Sequence, residues 1–415
     1  MRRLTSGIIL VLLLAPAAIS GQSVYSSIGM GDLSIHQTQR SAGMGLSGMS
    51  LPDQRAISLS NPALWHEAEF AGIATGIDSY IKSSSLGGQS GTFSFQGFNF
   101  HLPVARSVGV ALGFAPYSQV NYNFLRRIND RIFTDGTLAD SLSYTVEAEG
   151  SGGVGGSFLG FGWALSDRIA IGTAVSFLLG QTDTRKSLTF EYPDDYRDRT
   201  ISQRSNVYGQ NLVVGGRYKG LLRESDNIGF RIEVPLRLKV ENRTGYSFGV
   251  SAPETETTTE TGYLWPLQYG VSYSTTFGET LLLAGEGLIW QPQTDLPTLS
   301  GPAGNYSYSD GFRFGAGVEY QKNPTSFDWW ERLEWRTGVH WKQLAISDHA
   351  GNQPAEYSLH GGLGIPFGRG NRLDFAVSYG HRIGFTSSDP VEDIFHLRVG
   401  ITVNELWFDG GIRNN

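Results

Sequence analysis

The chain has 415 residues, of which 54 are glycine, 12 % are aromatic and 17 % are charged, with no cysteine and a formal net charge of −7. The missing cysteine excludes disulfides, cysteine-ligated metals and lipid attachment at a thiol, and a mild charge without a basic patch excludes nucleic acid as a partner. After residue 20 no run of about 18 apolar residues would make a membrane-spanning helix, while glycine and aromatics interleaved with polar residues are the composition of a membrane β-barrel.

Residues 1–20 read as a secretory signal peptide: Arg2 and Arg3, an apolar stretch from Gly7 to Ala18, then a small-x-small cleavage site at Ala18-Ile19-Ser20. Residues 21–69 do not alternate and are rich in Gly, Ser and Met, including Gly43, Gly45 and Gly48. A piece this short is too small for a core of its own. Either it folds inside a barrel as a hatch, or it is a periplasmic tail or plain loop. Asn61-Pro62-Ala63 is a turn former, because Pro fixes φ and the Asn side chain can bond nearby backbone.

From residue 70 to residue 408 the pattern becomes a dyad, with a short tail at 409–415. Fourteen strand-like segments are predicted, at about 70–82, 91–102, 106–120, 142–165, 168–183, 204–219, 227–242, 260–276, 280–291, 308–321, 332–346, 355–366, 371–385 and 393–408. The third carries Gly109, Gly113 and Pro116, which weaken a ladder and mark a candidate kink. The seventh is the clearest. Ile228, Phe230, Ile232, Val234, Leu236, Leu238 and Val240 alternate without a break against Arg231, Glu233, Arg237, Lys239 and Glu241. Side chains of a strand point alternately to its two faces, and a charge facing lipid near the midplane costs about 2–4 kcal/mol. These five residues, together with Glu334, Arg336, Asp374 and Arg398 on later strands, are therefore expected to face the lumen. There they pair across strands and with an N-terminal segment, or else bind a solute.

Connections alternate in length. Short turns fall near 103–105, 166–167, 277–279 and 367–370, with somewhat longer ones at 220–226 and 322–331 on the same side. Loops around 121–141, 184–203, 243–259, 292–307, 347–354 and 386–392 lie on the other, most of them long. Tight periplasmic turns and longer outside loops are the habit of outer-membrane barrels. Trp163, Trp335, Trp407 and the turn pair Trp329-Trp330 fall at periplasmic ends, and Trp265 and Trp290 at outer ends, where indole rings favour the membrane interface.

Motifs for chemistry are weak. Gly43-Met44-Gly45-Leu46-Ser47-Gly48 fits G-x-G-x-x-G but follows no strand and opens no βαβ unit. No G-x-S-x-G elbow occurs. Asp194, Asp195 and Asp198 read as a solvated acidic loop beside Arg197 and Arg199 rather than a Ca²⁺ site. No catalysis, metal or cofactor is expected.

The run Arg40-Ser41-Ala42-Gly43-Met44-Gly45-Leu46-Ser47-Gly48, then Asp53, then Ser60-Asn61-Pro62-Ala63-Leu64, resembles the start of the FadL/TodX family of outer-membrane transporters. PorV-like components of type IX secretion share the architecture. The resemblance implies an all-β transmembrane barrel of about fourteen strands with an N-terminal hatch, in which Gly43, Gly45, Gly48, Asn61, Pro62 and Ala63 are hatch positions. It implies a monomer in the outer membrane of a Gram-negative-type bacterium, in contact with lipid and lipopolysaccharide and inserted by the barrel-assembly machinery. The implied activity is passive uptake of a hydrophobic or amphiphilic small molecule, such as a long-chain fatty acid, by hatch movement. The alternative is a PorV-like secretion component, or a structural barrel without transport. The ending departs from the common barrel signal, since seven residues follow Phe408.

Overall fold

The computed structural model describes residues 25–28 and 31–405, except 86–88, 135–136, 192–196, 249–254, 262–265, 279, 293–298, 302–303, 369 and 388. The signal peptide, Trp265, Trp407, Asp194, Asp195 and the C-terminal tail lie outside the described residues.

Fourteen antiparallel strands form the wall: β1 (Ala71–Ser84), β2 (Gln89–Ala105), β3 (Val108–Thr134), β4 (Thr137–Ala164), β5 (Ile169–Phe190), β6 (Arg199–Lys219), β7 (Asn227–Phe248), β8 (Leu267–Phe277), β9 (Leu281–Gln291), β10 (Gly311–Gln321), β11 (Glu334–Gln343), β12 (Ala355–Phe367), β13 (Asn371–Ile383) and β14 (Glu392–Glu405). Each pairs with its neighbour, and β14 closes on β1 from Glu392↔Ser84 to Glu405↔Ala71. Closure removes edges that lipid could not hydrogen-bond, although β2 and β3 pair only from Phe98↔Phe114 to Ala105↔Val108. Alternation then sorts the faces. Phe95, Leu159, Leu179, Phe230, Phe314 and Val377 are exposed on the outside, while Arg313, Glu334, Arg336 and Asp374 are buried inside. No helix is long and apolar enough to cross a membrane among the described residues.

The wall is uneven. Strands β3 to β7 have 27, 28, 22, 21 and 22 residues, whereas β8 to β11 have 10 or 11. The surplus lies where long loops were expected, since 121–134, 137–141, 184–190, 199–203 and 243–248 are strand, so one flank rises past the rest as a free-standing sheet. Residues Thr255–Thr261 extend it by pairing with β7.

Two expectations about direction need correction. On β7, Gln210↔Arg237 is followed by Asn211↔Pro235, so a bulge absorbs Leu236. A single extra residue exchanges the two faces of a strand. Arg231 and Glu233, before the bulge, are buried in the bore; Arg237 and Lys239, beyond it, are exposed on the outer face, with Glu241 in the same phase. Leu238 and Val240 turn inward and pack with Tyr117, Val154, Leu178 and Val207. Trp290, expected at the outer interface, shares the inward phase of Leu288 and is only 2 % exposed, packed with Met49. Trp163 and Trp335 are exposed near the ends of their strands.

Candidate functional site: the N-terminal segment and its ionic seat

The residues before β1 pack against the inner wall. At the outer end Tyr25 donates its hydroxyl to the Pro390 carbonyl at 2.6 Å, and Asp32 holds Lys82 at 2.5 Å and Arg382 at 3.2 Å. At the other end residues Pro62–Glu67 form a 3-10 turn over β3 to β6, with Arg217 of β6 paired to Glu67.

Between them sits a short helix, α1 (Gln39–Gly43). A reciprocal capping box fixes its start: the Ser41 amide donates to Thr38 Oγ1 at 3.2 Å, and the Thr38 amide donates to Ser41 Oγ at 3.0 Å. This aims Arg40 at Glu319 of β10 in a two-pronged contact of 2.8 and 2.6 Å. Such a fork suits guanidinium and carboxylate geometry. Arg336 of β11 reaches Glu319 at 2.7 Å, Asp374 at 2.5 Å and also Glu334. Arg372 of β13 joins Asp374 at 2.8 Å to Asp53 of the segment at 2.6 Å. Arg55 of the segment binds Glu334 at 2.5 Å. The wall thus presents two arginines against three carboxylates, and the segment brings two arginines and one carboxylate. Neither half is neutral alone. Together they balance, which is what buried charges require.

A second seat lies beside it. Glu286 of β9 accepts from the Ser47 amide at 2.5 Å, the Ser47 hydroxyl at 2.8 Å and the Gly48 amide at 3.3 Å. Arg313 of β10 ties Glu286 at 2.6 Å to the Gly45 carbonyl, also at 2.6 Å. Gly45 and Gly48 have φ of +70° and +94°, where a side chain strains the backbone. On the wall, a Cβ at Gly338 would come within 1.9 Å of the Met44 carbonyl oxygen, so glycine there permits the close approach.

Asn61 forms the third anchor. Its side chain accepts from the Ala63 amide at 3.0 Å and donates to the carbonyls of Met49 at 2.7 Å and Gly216 at 3.1 Å. Pro62 occupies the first turn that follows, and Ala63 is fully buried. Gly43 meets the wall at Gly362. Of the candidate kink residues, Pro116 lies where β3 slips register against β4, before Ser118; Gly113 pairs with Asn99 in the β2–β3 ladder, and Gly109 faces the Trp65 carbonyl. Arg398 faces inward and contacts Asp78 at 3.3 Å.

Sequence reasoning passed over Glu286, Arg313, Glu319 and Arg372. Each was signalled by phase: Arg313 and Glu319 alternate against the outward Phe314 and Tyr320, and Glu286 is the single charge in an apolar strand. A cavity of about 230 Å³ remains between residues 32–37 and the wall, lined by Lys82, Arg313, His340, Lys342, Arg382 and Arg398 among others. Its lining is ionic, so it suits water or a polar group better than hydrocarbon. Among the described residues no cluster of His, Cys, Asp or Glu is placed to hold a metal ion.

A family model described as BamG matches residues 1–411. The fold is similar to that of the CymD monoaromatic hydrocarbon channel, at 12 % identity and a TM-score of 0.61, covering 90 % of this chain and 99 % of that one. It is similar to a Pseudomonas aeruginosa FadL homologue, at 10 % identity and 0.59, covering 94 % and 100 %. It is also similar to the Ralstonia pickettii toluene transporter TbuX, at 13 % identity and 0.57, covering 89 % and 99 %. No curated protein matches the sequence.

Proposed function

The chain belongs to the BamG family, and from that membership we propose that it works in the outer membrane as a closed barrel associated with the β-barrel assembly machinery. The observation that supports this reading is the ion pairing of residues 40–55 with the inner wall. Eight charged groups of wall and segment neutralise one another around Arg336, and Glu286 with Arg313 clamps residues 45–48. Removing one partner of a buried ion pair costs about 3–5 kcal/mol, so the segment does not leave its seat cheaply. On this reading the N-terminal segment stays in the bore as a hatch, and the surfaces left for work are the lipid-facing wall and the two rims. The likeness to PorV-type architecture noted from the sequence fits the same class of role, a barrel that serves other exported proteins. The test is purification of the full chain from outer membranes in mild detergent. The assembly machinery's central barrel co-purifies in stoichiometric amount; an isolated monomer carrying only bound lipid overturns the reading.

A second reading has its own observation. The fold is that of proteins described as hydrocarbon channels and a toluene transporter. On this reading the hatch shifts to pass a hydrophobic or amphiphilic compound, the cavity beside residues 32–37 taking a polar head group. Liposomes containing the protein then take up a fatty acid or toluene faster than empty ones, and equal rates dismiss it.

A further inference from the structure

The bulge in β7 sets two cations on the oily side of the wall, at one height. Register carries that height across the flank. Arg237 lies beside Gln210 of β6, which lies beside Phe177 of β5; Lys239 lies beside Tyr208, which lies beside Leu179. Phe177, Leu179 and Tyr208 are 51, 60 and 47 % exposed, and Gln210, Arg237 and Lys239 are exposed with them. Below this row β7 turns Phe230 and Ile232 outward. Above it the outward positions become polar: Gln181 and Asp183 on β5, Asn206 and Arg204 on β6, Glu241 and Arg243 on β7. The oily surface ends at the level of Arg237 and Lys239. The short flank ends close to it, since β7 keeps β8 as a neighbour only as far as Glu233↔Gln268.

A charge on that boundary needs water or a counter-ion. The cations higher up have theirs within the wall: Arg204 pairs with Asp183 at 2.7 Å and Arg243 with Glu241 at 3.3 Å. Arg237 forms no ion pair among the described residues. Unbroken alternation would have turned it into the bore; the bulge at Leu236 turns it to the lipid side instead. At the height where lipid-facing Phe177 and Leu179 give way to polar residues, the anion that a bilayer supplies is a head-group phosphate.

We propose that Arg237, with Lys239 beside it, holds the phosphate of an outer-leaflet lipid whose acyl chains lie along Phe177 and Leu179. A guanidinium fork matches the oxygens of a phosphate. Tyr208 stands next to Lys239 in the same row, and a tyrosine ring suits the head-group layer, where one end is oily and the other wet. The proposal rests on the barrel lying in a bilayer and on neither of the tasks discussed above.

The test is native mass spectrometry of the full chain in detergent, titrated with dioleoyl phosphatidic acid and, separately, with dioleoyl phosphatidylcholine, whose choline offsets the phosphate charge. Phosphatidic acid is expected to give its first adduct at the lower concentration. Arg237→Gln should weaken that adduct about fivefold, the worth of one cation at an anionic lipid surface. Arg237→Lys keeps the charge and should recover most of the loss. Lys219→Gln, at the opposite end of the wall, should change nothing. Heat-shifted gel migration shows that each variant forms the barrel. Native-like binding by Arg237→Gln, an equal loss from Lys219→Gln, or no preference for phosphatidic acid overturns the proposal. Displacement of the lipid by an equal concentration of inorganic phosphate would reveal a site for a soluble anion, and would overturn it too.

Discussion

Arg336 and Glu286 show what a single residue contributes. Each is buried, and each makes its contacts at once to the wall or across to the segment. Glu286→Ala leaves Arg313 buried without its carboxylate, so the barrel should lose about 3–5 kcal/mol and unfold at a lower temperature in a heated-gel series. The double variant Glu286→Leu with Arg313→Met should recover much of that loss, because an apolar pair of similar size needs no counter-charge. Gly338→Ala tests close approach: its Cβ would lie 1.9 Å from the Met44 carbonyl. The expected result is a segment displaced near Met44, read as faster proteolysis around residues 40–50 of folded barrel. A segment as resistant as the native one would contradict the contact.

At the scale of elements, fourteen strands were legible, because alternation and turn chemistry agree along most of the chain, but the outer parts of β3 to β7 were read as loops because their polar residues hide the dyad. The bulge in β7 was not. The dyad from Ile228 to Glu241 runs on unbroken in sequence, and Leu238 and Val240 suit lipid as well as they suit an apolar cluster inside the wall. Apolar residues carry no label for which oily surroundings they face. Trp290 misled for the same reason. The ionic seat was half legible: Glu334, Arg336 and Asp374 announced themselves by phase, but the partners Arg40, Asp53 and Arg55 lie in a stretch with no period to read. The bulge makes a direct prediction. In intact cells Lys239→Cys, in a chain with no other cysteine, should react with a membrane-impermeant maleimide. Deleting Leu236 as well should restore the simple register, turn residue 239 inward and abolish the labelling; persistent labelling would mean that the bulge does not set the face.

On the scale of the whole molecule, a closed cylinder of fourteen strands carries an oily exterior and an interior whose charges pair with one another and, in part, with the chain's own N-terminal residues. The fold is shared with hydrocarbon channels, while the family is BamG. A shared barrel does not fix a shared task, since function resides in sites placed on folds. What separates the two readings is whether the bore opens. Planar-bilayer conductance measures that most directly. The intact chain should be silent, and deletion of residues 22–60, in protein whose heat-shifted migration proves the barrel formed, should give a steady conductance. Current through the intact chain, or silence from the deletion, would contradict a bore closed by its own N-terminal segment.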